Sequence, residues 1–129
     1  MSHIDVQQMI GPSSLMVGSE LPLSDAIRLT EQRFPERSFC IVDEWIWIDF
    51  DAPDLVNMEL ANAGKQPVML LVFNVLHDSS SPSNSNWFRS TPLTEFVDDM
   101  FFLTEHKIYV LLGHGRRTSM PLSAVVRLF

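Results

Sequence analysis

Two adjacent arginines, Arg116 and Arg117, follow an apolar stretch and two glycines in the sequence KIYVLLGHGRR, residues 107–117. Glycines let the backbone approach a ligand closely, and arginines offer paired donors to a phosphate or carboxylate. This chemistry predicts an anion-binding loop of a small enzyme or sensor, made of Gly113, His114, Gly115, Arg116 and Arg117. The alternative, which we favour, is a hairpin exit whose glycines take positive φ and whose arginines are solvated or paired with acids.

A histidine beside a carboxylate is a second possible reactive pair. His77 and Asp78 end an apolar segment, where a base and its orienting carboxylate could lie. Adjacent residues of a strand point to opposite faces, so solvated residues at a strand end are expected rather than a direct dyad. His106 and His114 could approach each other across a hairpin, but their spacing matches no metal-binding motif such as HExxH. We therefore expect no metal site.

Other reactive residue types lack the setting that their chemistry needs. The carboxylates at 95–99 are close in sequence, whereas glycoside hydrolysis needs two carboxyl groups across a cleft. Ser119 and Ser123 lack the GxSxG context of a nucleophile and suit the start of a helix. Cys40 lies in the apolar segment FCIV, where a thiol is usually an inert core residue. The sequence leans against an enzyme and predicts no cofactor.

Acidic residues dominate the segment 38–64, which holds six Asp or Glu residues and no Lys or Arg. If Asp49 shares a strand face with the two interleaved tryptophans, that face could bind an arginine-rich protein surface. In the alternative, which is slightly favoured, the indoles pack under a helix and the acids form a solvated rim. The candidate partner-binding residues are Asp43, Glu44, Trp45, Trp47 and Asp49.

Charge and composition limit the classes of function. The formal net charge of −7 over 129 residues disfavours binding to DNA or RNA and favours a basic protein surface as partner. The longest apolar run, residues 68–73, is far shorter than the roughly 20 residues that cross a bilayer, so no membrane span is expected. A single cysteine and no recognisable signal peptide fit a cytoplasmic location. The oligomeric state stays open.

Apolar spacing predicts the elements that position these residues. Helical periodicity that ends before Pro35 predicts a helix at 23–34, and helix-end chemistry predicts a second one that Asp51 caps and Gly64 ends. The apolar segment 67–76 predicts a strand buried on both faces at the sheet centre. Further strands are expected at 38–42, 45–50, 87–90, 100–104 and 107–112, the last two as a hairpin, with a helix at the C-terminus.

Three segments, PVMLLVFNVLHDS, WFRSTPL and YVLLGHGRRTSMPLSAVVRLF, carry a resemblance to known proteins. Together with the GKQPV entry into the apolar strand, they resemble a family of short, uncharacterised bacterial proteins classed only as a domain of unknown function. The similarity extends from about Leu21 to Phe129. It implies a bacterial, soluble protein and assigns no substrate, cofactor or site.

These observations predict one α+β domain at 19–129, preceded by a loosely ordered segment at 1–18. We expect a mostly antiparallel sheet of five or six strands, packed by two or three helices. We interpret the protein as a non-enzymatic, cytoplasmic interaction protein, inhibitor or immunity-like, that binds a basic protein surface through its acidic, tryptophan-containing region. The alternative is the small enzyme or sensor with an anionic ligand at 113–117.

Overall fold

One long strand, β2, organises the sheet. The computed structural model describes residues 13–80 and 88–126, and β2 runs over Phe39–Asp51. This segment is rich in β-branched and aromatic residues, which suit a pleated strand with neighbours on both sides. The strands predicted at 38–42 and 45–50 are therefore parts of one strand rather than two.

Glu44 changes the alternation of side chains along β2. Its φ is +51°, a left-handed conformation that interrupts regular pleating. Cys40 and Val42 before it, and Trp45 and Trp47 after it, all belong to the same core cluster although their numbers change from even to odd. The acidic pair that predicted a break between two strands therefore marks an irregularity inside one strand.

Eight strands and three helices lie within the described residues. Besides β2, the strands are β1 (Ser14–Val17), β3 (Val68–Asp78), β4 (Phe88–Arg89), β5 (Glu95–Val97), β6 (Phe101–Leu103), β7 (Ile108–Leu111) and β8 (His114–Pro121). The helices are α1 (Leu23–Arg33), α2 (Asp54–Asn62) and α3 (Leu122–Val126).

The sheet is mixed because β2 takes two partners in tandem on one side. The first half of β2 pairs parallel with β7, and the second half pairs parallel with β8. On its other side β2 pairs antiparallel with β3, and the remaining strand pairs are also antiparallel. The α+β class and the helix number are confirmed, whereas the expected five or six mostly antiparallel strands are corrected to eight in a mixed sheet.

Several predicted elements need individual correction. The strand predicted at 67–76 is β3, but its outer partner is only the two-residue β4, so β2 and not β3 is central. The connection through α2 joins the antiparallel strands β2 and β3. The predicted hairpin is confirmed as β6 and β7, and the first predicted helix as α1. Trp87, predicted to begin a strand, lies outside the described residues.

Different groups pack on the two faces of the curled sheet. One face holds a core cluster that includes both β2 tryptophans, together with Phe102, Tyr109 and Leu111. The other face is covered by helices. Helix α1 packs through Ala26 beside Ile41, while α2 and α3 pack over the far half of β2. The three helices therefore divide one face of the sheet between them.

Helix α2 has little buried contact with the sheet. It begins at Asp54 after Pro53, so the predicted cap Asp51 is instead the last residue of β2. None of its residues is fully buried, and Leu60 is a partly buried contact with the core. Asn57 donates a hydrogen bond from Nδ2 to the carbonyl of Ala52 at 3.1 Å. The helix thus lies on the molecule with one side largely in solvent.

Part of the N-terminal segment predicted to be loosely ordered lies within the described residues. Residues 14–17 of the segment predicted to be loose form β1, which pairs antiparallel with β8 at one end of the sheet path. Residues 1–12 lie outside the described residues, so the domain boundary after residue 18 stays a prediction. The described helices include none that is long and apolar enough to cross a membrane.

Candidate functional site

The two β2 tryptophans lie in the core. Trp45 is 1% exposed and Trp47 is 5% exposed. Trp45 donates from Nε1 to the carbonyl of Leu112 at 3.0 Å, and Trp47 packs edge-on against Phe102 with ring centroids 5.3 Å apart. The sheet curls around both rings, so neither is available to a partner as the sequence-based interaction hypothesis required. Burial with satisfied indole N–H groups is the ordinary state of tryptophan.

Asp49 and Arg117 join the two regions that the sequence presented as separate candidate sites. Arg117 lies opposite Trp47 in the β2–β8 pairing, and its Nε and Nη2 reach Asp49 Oδ2 and Oδ1 at 2.7 and 3.1 Å. Its guanidinium carbon lies 5.1 Å from the centroid of Trp47, whose Nε1 also donates to Asp49 at 3.1 Å. The hydrogen bonds with Asp49 raise the pKa of Arg117. The acid and the arginine therefore neutralise each other.

The predicted glycine-arginine loop is mostly strand. Gly113, with φ +65°, makes the turn, and β8 begins at His114, which is exposed. Gly115 is needed for packing, because a Cβ there would lie 2.3 Å from the Trp45 ring. Arg116 donates to the hydroxyl and carbonyl oxygens of Ser13. The expected loop at 113–117 is therefore corrected to a turn and a strand whose arginines have internal acceptors.

The two neighbouring acids Asp43 and Glu44 of β2 have different surroundings. Asp43 accepts a hydrogen bond from Asn74 Nδ2 at 2.6 Å on the neighbouring strand β3. Glu44 is exposed and forms no ion pair with the described residues. The five residues proposed as one binding face are thus not presented together at the surface.

His77 and Asp78 have separate partners. The ring of His77 lies 5.5 Å from that of Phe39, while Asp78 Oδ2 accepts from Lys107 Nζ at 2.8 Å. Burial raises the pKa of Asp78, but the hydrogen bonds from Lys107 and Ser80 outweigh it and hold the pKa below its ordinary value. The contacts favour a structural ion pair over a dyad.

The remaining reactive groups are held in unreactive surroundings. Cys40 is buried, and burial raises the pKa of its thiol to about 12. Burial likewise raises the pKa of Tyr109 to about 12. Asp98, one of the sequence-adjacent acids, forms an ion pair with Arg33 of α1. Within residues 13–80 and 88–126, no group of His, Cys, Asp or Glu side chains is arranged to hold a metal ion.

Two exposed apolar residues that the sequence did not mark as a candidate site lie on α2. Leu55 and Met58, three residues apart on one helical side, are 67% and 61% exposed. The last residue of β2, Asp51, and two α2 residues, Asp54 and Glu59, are also exposed. We call these five residues the α2 surface. A sequence signal for it existed, because the apolar residues of α2 surround the helix instead of forming one stripe.

A cavity of about 440 Å³ lies beside the α2 surface. Its lining joins the end of β2 to the start of α3, since Asp51 and Pro121 are paired neighbours of β2 and β8. The lining residues are Asp51, Pro53, Pro121, Leu122, Ser123 and Val126. A second cavity, of about 590 Å³, lies beside the Asp49–Arg117 pair and is lined mainly by serine and threonine.

Residues 17–127 match a family described as a domain of unknown function, DUF6957. The chain belongs to the DUF6957 family. No curated protein and no solved structure matches it. The predicted resemblance to an uncharacterised family is confirmed, and the bacterial origin stays a prediction. The DUF6957 match spans the strands that hold Trp47, Asp49 and Arg117 as well as α2, and it assigns no activity to any of them.

Proposed function

We propose that this DUF6957 domain is a non-enzymatic interaction protein, inhibitor or immunity-like, that contacts a basic surface of another protein through its α2 surface. The observation that carries this proposal is the exposure of Leu55 and Met58 on a helix that has no fully buried residue. Large apolar side chains grouped on an exposed helix are typical of surfaces that a partner covers.

The apolar part of the α2 surface can supply binding free energy. Fully burying a leucine or methionine side chain is favourable by about 1.5–3 kcal/mol. Leu55 and Met58 leave most of this unrealised in the free protein, because each has more than half of its surface in water. A partner that covers both would gain a contact comparable to an interface hot spot.

The acidic part of the α2 surface sets the sign of the partner's charge. Asp51, Asp54 and Glu59 form no ion pair with a Lys or Arg among the described residues. Their charges add to the overall −7 of the chain. Acidic residues around an apolar contact accelerate association with a basic surface and discriminate against acidic ones. The proposed partner is therefore a protein rather than a nucleic acid.

The anion-binding alternative has weaker support. A cavity does lie beside Arg117, yet the guanidinium already has a carboxylate partner in Asp49, and Arg116 donates to Ser13. An anionic ligand would have to displace Asp49 or share the arginine with a negative charge, and both cost free energy.

The proposal is tested by capture of partners from lysate of the native cell. Wild type is compared with Leu55→Ser/Met58→Ser and with Leu15→Ser/Val17→Ser, which removes apolar residues of similar exposure from β1. Circular dichroism first establishes that all three fold. We expect a protein that is retained by wild type and the β1 variant and lost with the α2 variant. Equal retention by all three would contradict the proposal.

A further inference from the structure

The cavity beside the α2 surface is open to solvent and largely apolar, so it has room for an apolar side chain of the partner. We infer that it receives an apolar anchor from a basic, amphipathic helical segment, whose Lys or Arg residues pair with Asp51 and the α2 acids. This inference rests on the proposed function, because it names the partner segment for the same surface.

The walls of the cavity favour an apolar occupant. Pro53 and Pro121 offer rigid hydrocarbon surfaces, and Leu122 and Val126 of α3 complete an opening of about 440 Å³. Val126 is 51% exposed, so covering it would remove further apolar surface from water. A Leu or Phe side chain matches these walls, whereas a charged group would lose hydration without gaining a partner from the four apolar residues.

The rim of the cavity favours a cation next to that anchor. Asp51 is the one charged lining residue, and it is exposed and has no ion-pair partner among the described residues. Asp54 follows Pro53 by one residue, so it extends the negative charge from the rim onto α2. An apolar anchor flanked by lysines or arginines is complementary to this arrangement.

The cavity and the exposed side of α2 are continuous in the chain. Pro53 lines the cavity and directly precedes α2, which then presents Leu55 and Met58. A helical segment that docks with apolar residues at i, i+3, i+4 and i+7 could place one of them in the cavity and the others against α2. This adjacency supports a helical segment, rather than an isolated side chain, as the ligand.

Three designed helical peptides test the inference. The first has leucines on one side and lysines on the other, the second replaces every lysine by glutamate, and the third replaces every leucine by serine. Fluorescence anisotropy measures binding of each labelled peptide to the full chain near physiological salt. We expect the Lys/Leu peptide to bind roughly tenfold or more tightly than either of the others, because both the apolar and the charge match are required.

Matched variants locate the contact. Val126→Ser should weaken binding of the Lys/Leu peptide roughly tenfold, whereas Val17→Ser on β1 should leave it unchanged. Asp51→Asn should weaken binding roughly threefold at low salt. Glu44→Gln removes the same charge about 23 Å along β2, at about 3.3 Å per residue, and should have a smaller effect.

Several results would each overturn the inference. They are failure of the Lys/Leu peptide to bind, equal binding of the Lys/Ser peptide, no effect of Val126→Ser, and tighter peptide binding by Leu128→Ser/Phe129→Ser, which would make the chain's own C-terminus the occupant. A concentration-dependent dimer that Val126→Ser abolishes would likewise assign the cavity to a second copy. If Leu55→Ser/Met58→Ser still abolishes lysate capture in any of these cases, the proposed function stands and only the assignment of the cavity falls.

Discussion

Replacing Gly115 by alanine should destabilise the protein severely. The new Cβ would lie 2.3 Å from two ring carbons of Trp45 and 2.5 Å from its carbonyl oxygen. Carbon atoms in favourable contact are about 3.5–4.0 Å apart, so the overlap exceeds about 1 Å. Trp45 cannot readily turn away, because it is buried and its Nε1 donates to Leu112. The strain must instead separate β8 from β2, whose pairing begins one residue later at Arg116.

The expected cost is about 3 kcal/mol in the free energy of unfolding, the upper part of the usual range for overpacking. For a chain of this length that corresponds to a fall of about 12 °C in Tm, at about 4 °C per kcal/mol. Gly64→Ala is the matched control. Gly64 has φ +72°, but no atom lies within 4 Å of the position that a Cβ would occupy there. Alanine at this position therefore costs only the conformational strain of about 1–2 kcal/mol.

Thermal and urea unfolding followed by circular dichroism measure both variants. We expect Gly115→Ala to be clearly less stable than Gly64→Ala, or not to fold. If Gly115→Ala were as stable as wild type and lost only the binding of phosphate, the glycine would serve a ligand rather than the packing of Trp45, and the anion-binding alternative would be favoured.

Three further predictions concern the interior and the charged contacts. In the folded protein near pH 8, Cys40 should not react with a thiol reagent, because its side chain is buried and the pKa of its thiol is about 12. Unfolding in urea should expose one reactive thiol per chain. Fast labelling of the folded protein would contradict this prediction. Asp78→Asn should lower the free energy of unfolding at neutral pH. The difference in this free energy from wild type should shrink as the pH falls below about 4, because the pKa of Asp78 is lower in the folded protein and the unfolded chain therefore binds the proton first. A difference that stays constant with pH would show that the pair with Lys107 contributes nothing to stability. A double-mutant cycle of Asp49→Asn and Arg117→Gln should give a coupling of about 0.5–1 kcal/mol that declines with salt, because the pair is partly exposed; zero coupling at low salt would refute it.

Local elements could be predicted from the sequence, whereas strand partners could not. The periodicity of α1, the hairpin of β6 and β7 and the positive φ of Gly64 all follow from residues close in sequence. The parallel partners of β2 come from strands more than 60 residues later in the chain. No local pattern predicts that β7 and β8 lie along the same side of β2. The predicted number of strands and the predicted antiparallel direction of the sheet were therefore wrong.

In the candidate site, too, individual residues could be predicted from the sequence, whereas their contacts could not. Asp49 and Arg117 were both identified, but as parts of opposing hypotheses, because the register that places them together is a long-range property. Gly115 was interpreted as a loop residue, although its role is to admit the ring of Trp45. Leu55 and Met58 were not proposed as a binding surface, because their exposure depends on how α2 packs on the sheet, which is a long-range property.

The central claim is that α2 is the surface that meets a protein partner, and photo-crosslinking in the native cell tests it most directly. A benzophenone amino acid is placed at position 55 on α2, or at position 17 on β1 as a control of similar exposure. We predict a discrete crosslinked protein from position 55 that is absent from position 17. The same adduct from both positions, or an adduct from position 17 alone, would contradict the claim.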